Sequence, residues 1–251
     1  MFIDIHCHLD YYNDGEIKEI IEKAEKNNVK LIISNGTNHI TNKKVLEIAK
    51  KYSIVKPALG LYPIEALKMN EEEIDKEISF ITENKDKIIA IGEVGIDFKE
   101  SINKEENEKQ KELFDKIVKL SIELDKPIIV HSRKAERECI EILEKNMAKK
   151  VVMHCFNGNF NLVDRIRENN WFISIPTNVV FSEHFQKIAK ETDLKNLLCE
   201  TDSPFLHPRK ERNNTPENVI ESYKKIAELK EISLEEVEKK LEENYKKIFG
   251  N

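Results

Sequence analysis

Two histidines, His6 and His8, stand two residues apart at the end of the apolar run that opens the chain. A β-strand sends alternate side chains to one face, so both imidazoles project together, with Asp4 beneath them. Neutral imidazoles are good ligands for divalent ions, and two side by side make half of a metal site. As ordinary strand residues they would instead need partners for both rings, in water or in a core. The pair alone leaves both readings open, so the elements that would position further ligands decide between them.

The chain has 251 residues, enough for one large α/β domain or two small ones. Charged residues make up 35% and hydrophobic ones 39%, values of an ordinary globular protein. The net charge of −6 argues against a broad basic face that would hold nucleic acid by neutralising phosphates. It leaves room for a nucleic acid or phosphate ester gripped locally by metals and a few arginines. No apolar run approaches the roughly 18 residues of a membrane span, and the first strand starts too early for a signal peptide to precede it. Cys7, Cys139, Cys155 and Cys199 show no CxxC spacing and read as reduced thiols of a cytoplasmic protein.

Short apolar runs alternate with stretches of helical period along the whole chain. After the opening strand, strands are expected at 30–34, 54–59, 87–91, 127–130, 150–153, 171–175 and 196–199. Helices are expected at 16–28, 42–51 and 71–84, then in a long segment opening at Lys99. Further helices follow around Ile140 and Leu143, over 162–168 and 184–190, and over 216–229 and 233–249. Such βα alternation implies a parallel sheet with right-handed crossovers. Eight strands in 251 residues favour an α/β fold of the closed (β/α)8 TIM-barrel type, in one domain spanning 1–251. The absence of a glycine-rich phosphate loop after the first strand lowers the open, doubly wound alternative.

In such a barrel, chemistry sits at the C-terminal strand ends. Those ends carry His6 and His8, Glu93, His131, His154 and Asp202. This imidazole–carboxylate set suits one or two divalent ions such as Zn²⁺, Mn²⁺ or Mg²⁺. Two ions about 3.5–4 Å apart would need a bridging carboxylate, for which Glu93 is the natural candidate. Such a pair would lower the pKa of a water and clamp the oxygens of an ester. Asp202 could hold a metal and accept that water's proton, which makes it and Glu93 the catalytic candidates. Glu200 shares the face of Asp202, either orienting a ligand from behind or lying as an exposed rim carboxylate.

The segments Phe2-Ile-Asp-Ile-His-Cys-His-Leu-Asp10, Ile91-Gly-Glu-Val-Gly-Ile-Asp97, Pro127-Ile-Ile-Val-His-Ser-Arg133, His154-Cys-Phe-Asn-Gly158 and Glu200-Thr-Asp-Ser-Pro204 closely resemble the TatD family of metal-dependent deoxyribonucleases. They occur in that family's order along the whole chain. The resemblance implies a TIM barrel of the amidohydrolase type, with His6, His8, Glu93, His131, His154 and Asp202 as metal ligands. It also implies phosphodiester hydrolysis, commonly 3′-5′ exonuclease action on DNA. One departure stands out: where the family usually shows Gly-x-His-Pro, this chain reads Gly60-Leu-Tyr-Pro63, with Tyr62 in the histidine's place. A tyrosine hydroxyl can donate to a phosphate oxygen but is a poor ligand for these metals.

Substrate contacts are expected from Arg133, on the same side as His131, whose guanidinium can fork onto a phosphate, and from Tyr62. Arg209 and Arg212 lie in the Pro- and Asn-rich loop after the eighth strand, either as a phosphate clamp or as solvated loop residues. Phe156 and Phe205 are expected to pack in the core rather than stack on a base, and His39, His184 and His207 to lie on the surface or in loops. The leading function is thus a metal-dependent hydrolase acting on DNA ends or single strands, with no membrane association and no obligatory protein partner. A metal-dependent esterase or amidase such as a D-aminoacyl-tRNA deacylase would use the same site. A non-catalytic nucleic-acid-binding barrel is the third reading.

Overall fold

The computed structural model describes residues 1–210 and 213–250. Among them, eight strands form one parallel sheet in sequential order. These are β1 (Phe2–Cys7), β2 (Val29–Asn35), β3 (Val55–Leu59), β4 (Ala90–Gly95), β5 (Ile128–His131), β6 (Val151–Met153), β7 (Phe172–Pro176) and β8 (Leu197–Glu200). The strands are buried on both faces, which is why their sequences run as Val- and Ile-rich blocks rather than alternating. The sheet curls until β8 meets β1. There the Asp202 N–H donates to the His6 carbonyl (2.9 Å) and the His8 N–H to that of Ser203 (2.8 Å). Buried Asp4 adds to this seam by accepting the Thr201 N–H and hydroxyl. The (β/α)8 barrel expected from the strand count is the fold observed, and its seam runs through the predicted ligands.

Two apolar layers hold it. Inside the barrel Ile3, Ile5, Ile33, Ile129, Val152 and Leu198 pack together, closed at the N-terminal end by Tyr245 and Ile248 of the helix Leu234–Phe249. Between sheet and helices lies a larger layer with Trp171, Phe114 and Phe156 at full burial. At about 1.5–3 kcal/mol for each large apolar side chain buried, these layers are the main stabilising term. Asparagine marks the helix starts: Asn13, Asn38, Asn70, Asn103 and Asn159 each cap a helix by accepting backbone N–H groups.

Most element bounds shift by one to three residues from the sequence expectation, and a short helix at Pro63–Ala66 was not expected. Two larger differences bear on the site. The fourth strand lies at Ala90–Gly95 rather than at 87–91, so Gly92 and Glu93 stand inside it and do not end it. Close packing is the reason: a Cβ at Gly95, whose φ is +146°, would lie 1.9 Å from the His131 carbonyl oxygen. Glycine is needed where β5 presses on β4, so here it is not a strand stop. The long helix begins at Lys104, not Lys99, because Asp97 Oδ1 accepts the Lys99 and Glu100 N–H groups and holds them in a turn.

Candidate metal centre

All six predicted ligands converge at the C-terminal mouth of the barrel. His6 Nε2 and His8 Nε2 lie 3.2 Å apart. Glu93 Oε2 is 3.6 Å from the first and 3.3 Å from the second. Asp202 Oδ1 stands 3.7 and 3.5 Å from the same two nitrogens. The other oxygen of Glu93, Oε1, faces away from this pair, toward His131 Nδ1 at 2.9 Å and His154 Nε2 at 3.8 Å. Three overlapping sets result: His6, His8 and Glu93; His6, His154 and Asp202; Glu93, His131 and His154.

The donor set fits divalent cations. Ligand atoms bonded at about 2.0–2.2 Å to one ion lie roughly 3–3.6 Å from each other, close to the spacings within the His6, His8, Glu93 and Asp202 group. Ring tautomers, assigned from the acceptors around each imidazole, agree. His8 Nδ1 donates to the Asn35 carbonyl (3.1 Å), His154 Nδ1 to Glu200 Oε2 (2.8 Å) and His131 Nε2 to Asp97 Oδ2 (2.9 Å). Each bond holds the proton on the outer nitrogen and leaves the lone pair of the inner one aimed into the cluster. Glu200 is itself held by the Ser174 hydroxyl.

The electrostatics of the centre set burial against close pairing of imidazoles and carboxylates. Burial works against the charge on Glu93, yet hydrogen bonds from His131, His6 and His8 hold its carboxyl well below the usual range. Asp202 is likewise lowered against burial, chiefly by His8. Burial pushes His6 down to about 3, helped by its neighbour His154. His154 is buried too, but Glu200 outweighs that and lifts it to about 9. His8 rises well above its ordinary value because Asp202 and Glu93 overcome its burial. Protons on some imidazoles thus balance carboxylates that divalent ions would otherwise neutralise.

A model of a family described as TatD-related DNase matches residues 3–250. The chain belongs to that family. It is 37% identical over 250 residues to an uncharacterized metal-dependent hydrolase of Methanocaldococcus jannaschii, covering 99% of this chain and 96% of that one. It is 33% identical over 257 residues to the human protein named deoxyribonuclease TATDN3, covering 98% of this chain and 94% of that one. Among solved structures it resembles YJJV, a TatD homologue from Escherichia coli, with a TM-score of 0.91, 25% identity and coverage of 100% and 98%. This TatD family member is a metal-dependent hydrolase, and no described helix is long and apolar enough to cross a membrane.

The substrate-facing expectations for the TatD chain divide. The centre opens into a cleft of about 890 Å³ whose walls include Tyr62, Arg133, Tyr11 and Phe205. Arg133 is 48% exposed at the mouth, its guanidinium 3.3 Å from Glu100 and 4.0 Å from Asp97. Arg209 is exposed and does not line the cleft, and Arg212 lies outside the described residues. Glu200 is fully buried behind His154, which removes the rim alternative. Phe156 is core, as expected, but Phe205 is 47% exposed and is not. The loop after β8 turns it outward where core packing was expected. His39, half-exposed, donates from Nδ1 to the carboxylate of buried Glu77 (2.7 Å).

Sequence reasoning missed Asp97, Ser174 and Asn35. Asp97 had a signal, since it stands four residues after Glu93 with the same strand parity. Asn35 acts through its backbone carbonyl, which no residue type reveals.

Proposed function

We propose that this protein is a deoxyribonuclease that hydrolyses phosphodiester bonds at DNA ends or in single strands, from the 3′ end, using two divalent ions. The observation that carries the reading is the split of Glu93, whose two oxygens face separate imidazole pairs 3.3–3.6 Å and 2.9–3.8 Å away. His6, His8 and Asp202 would hold one ion, His131 and His154 the other, and Glu93 both. Divalent ions there, Mg²⁺, Mn²⁺ or Zn²⁺, supply Lewis acidity and bring a water's pKa toward neutrality.

The chain's own residues complete the chemistry. Asp202, partly open to the cleft, receives the proton of the attacking water. Glu200 and Asp97 hold His154 and His131 in the tautomers described. Arg133 grips a phosphate oxygen at the mouth, where its side chain is free to reorient from Glu100. Tyr62 donates to Asp97 and lines the cleft, within reach of a phosphate oxygen beside His131. Residues 1–251 act as one catalytic domain. The free cysteines, three of them buried, support a reducing compartment such as the cytoplasm.

The test is a panel of single-stranded and duplex DNA, RNA, a small phosphodiester and D-aminoacyl-tRNA, assayed with Mg²⁺, Mn²⁺ or Zn²⁺ and with excess EDTA. Metal-dependent release of mononucleotides from DNA is expected. Activity confined to D-aminoacyl-tRNA, or DNA hydrolysis undiminished by EDTA, would overturn the reading.

A further inference from the structure

At the lip of the cleft two aromatic rings stand in water beside the metal centre. Tyr11 is 61% exposed and Phe205 47%. Their ring centroids are 5.5 Å apart, edge to face at 79°. Both also touch the outer ring of the cluster, with Tyr11 5.9 Å and Phe205 6.2 Å from His8. The two residues come from loops after β1 and β8, far apart in sequence and joined only by barrel closure.

Their exposure is built in. Tyr12, next to Tyr11, is buried and donates its hydroxyl to the Asn214 carbonyl. On the other loop the Phe205 N–H donates to the Asp202 backbone carbonyl (2.8 Å), and the Thr177 hydroxyl donates to the Leu206 carbonyl (2.7 Å). The backbones are anchored on both sides while the rings face out. An adjoining pair of exposed large aromatics in a cleft is a binding feature more often than a surface accident. The ligand that suits a flat aromatic face a short distance from a phosphate-cleaving centre is a nucleobase.

We infer that Tyr11 and Phe205 form a stacking subsite for the unpaired nucleobase next to the scissile phosphate. The inference rests on the nuclease reading above and narrows it. A base inside a duplex has both faces covered by its neighbours, so only a single-stranded or frayed end can engage the rings. The subsite therefore selects unpaired ends over blunt duplexes, and it is sequence-tolerant because every base has a π-face.

The test uses the full-length chain with Mg²⁺ and a single-stranded oligodeoxynucleotide ending in 2-aminopurine, whose fluorescence falls on stacking. Rapid mixing should quench the probe before hydrolysis. Tyr11→Ala and Phe205→Ala should lose the quench and raise KM about tenfold or more, with kcat changing far less. Tyr11→Phe and Phe205→Tyr should restore both. An oligonucleotide with an abasic terminal sugar should bind the parent about tenfold more weakly, and the alanine variants should no longer distinguish it from the base-bearing one. Both rings are exposed, so circular dichroism of the variants should match the parent. If the alanine variants prefer base-bearing over abasic ends as strongly as the parent, the subsite is overturned while the nuclease stands. A parent that quenches the probe yet hydrolyses no phosphodiester would keep the subsite and remove the nuclease. Neither quench nor hydrolysis would remove both.

Discussion

Tyr62 donates its hydroxyl to Asp97 Oδ2 at 2.8 Å, the same oxygen that accepts His131 Nε2 at 2.9 Å. Tyr62 thus occupies the place of the family's usual histidine without presenting a metal ligand. It joins the group that orients one. Burial raises the Tyr62 hydroxyl, with Glu93 and Asp97 adding to the effect, so it stays a neutral donor.

Removing that donor tests the link. Tyr62→Phe should lower kcat/KM by less than about tenfold and cost about 1 kcal/mol of stability, the net worth of one hydrogen bond. Asp97→Asn should weaken divalent-ion binding by about 10- to 100-fold, as losing a partner of a ligating histidine commonly does. Calorimetric titration with Mn²⁺ checks the second effect and steady-state kinetics the first.

Glu93 should be less forgiving. Glu93→Gln keeps the size and shape of the side chain but removes the charge facing both imidazole pairs. Metal-stimulated hydrolysis should fall by at least about a thousandfold, several kcal/mol of transition-state stabilisation. Far-UV circular dichroism should stay unchanged. His131→Ala should behave alike, and full activity in either would contradict the assigned centre.

Metal removal should also register in stability. Ions that bind only the folded chain add about 2.7 kcal/mol at a hundredfold excess over Kd. The melting temperature should therefore rise with added Mn²⁺ or Zn²⁺ and return to the starting value with EDTA. The rise should be largely lost in Glu93→Gln.

A pH effect away from the site is expected at Asp115. Its carboxylate accepts from Lys119, from Asn146 (2.9 Å) and from Lys145 (3.1 Å), and these bonds hold it well below the usual carboxylate range. A carboxyl lowered in the folded state stabilises it above the unfolded value, and that contribution fades as pH falls through the folded value. Asp115→Asn should therefore melt lower than the parent at pH 7, by about 1 kcal/mol or less for so accessible a cluster. The gap should shrink below about pH 3 in parallel melts.

Gly95→Ala should be strongly destabilising. The added methyl would meet the His131 carbonyl at 1.9 Å in a backbone conformation that L residues rarely adopt. Chemical denaturation should show a loss of about 3 kcal/mol or more, and metal affinity should fall with it because His131 must move.

Much of this protein is legible in its sequence because two periodicities and one strand-end rule carry the information. Apolar blocks of four to six residues between helical stretches were enough for eight strands, and eight strands for a barrel. His6, His8, Glu93, His131, His154 and Asp202 each follow from being the polar residue that closes, or nearly closes, an apolar run. The glycines of β4 misled, because close approach of a neighbouring strand is invisible in one dimension.

The tertiary structure decided what depends on contacts between distant segments. The sequence leaves the His6–His8 pair open between ligand and structural roles, and barrel closure is what brings Glu93 and Asp202 within 3.3–3.7 Å of both rings, the spacing the metal proposal rests on. Which nitrogen of His8, His154 and His131 faces inward depended on Asn35, Glu200 and Asp97, none adjacent in sequence to the ring it holds. Phe205 went from expected core to exposed cleft wall, and only the β1–β8 seam set it against Tyr11. Local sequence determines which side chains can do chemistry, since alternation and burial are short-range. Distances, tautomers and the free faces of rings are set by long-range closure, which no local pattern encodes.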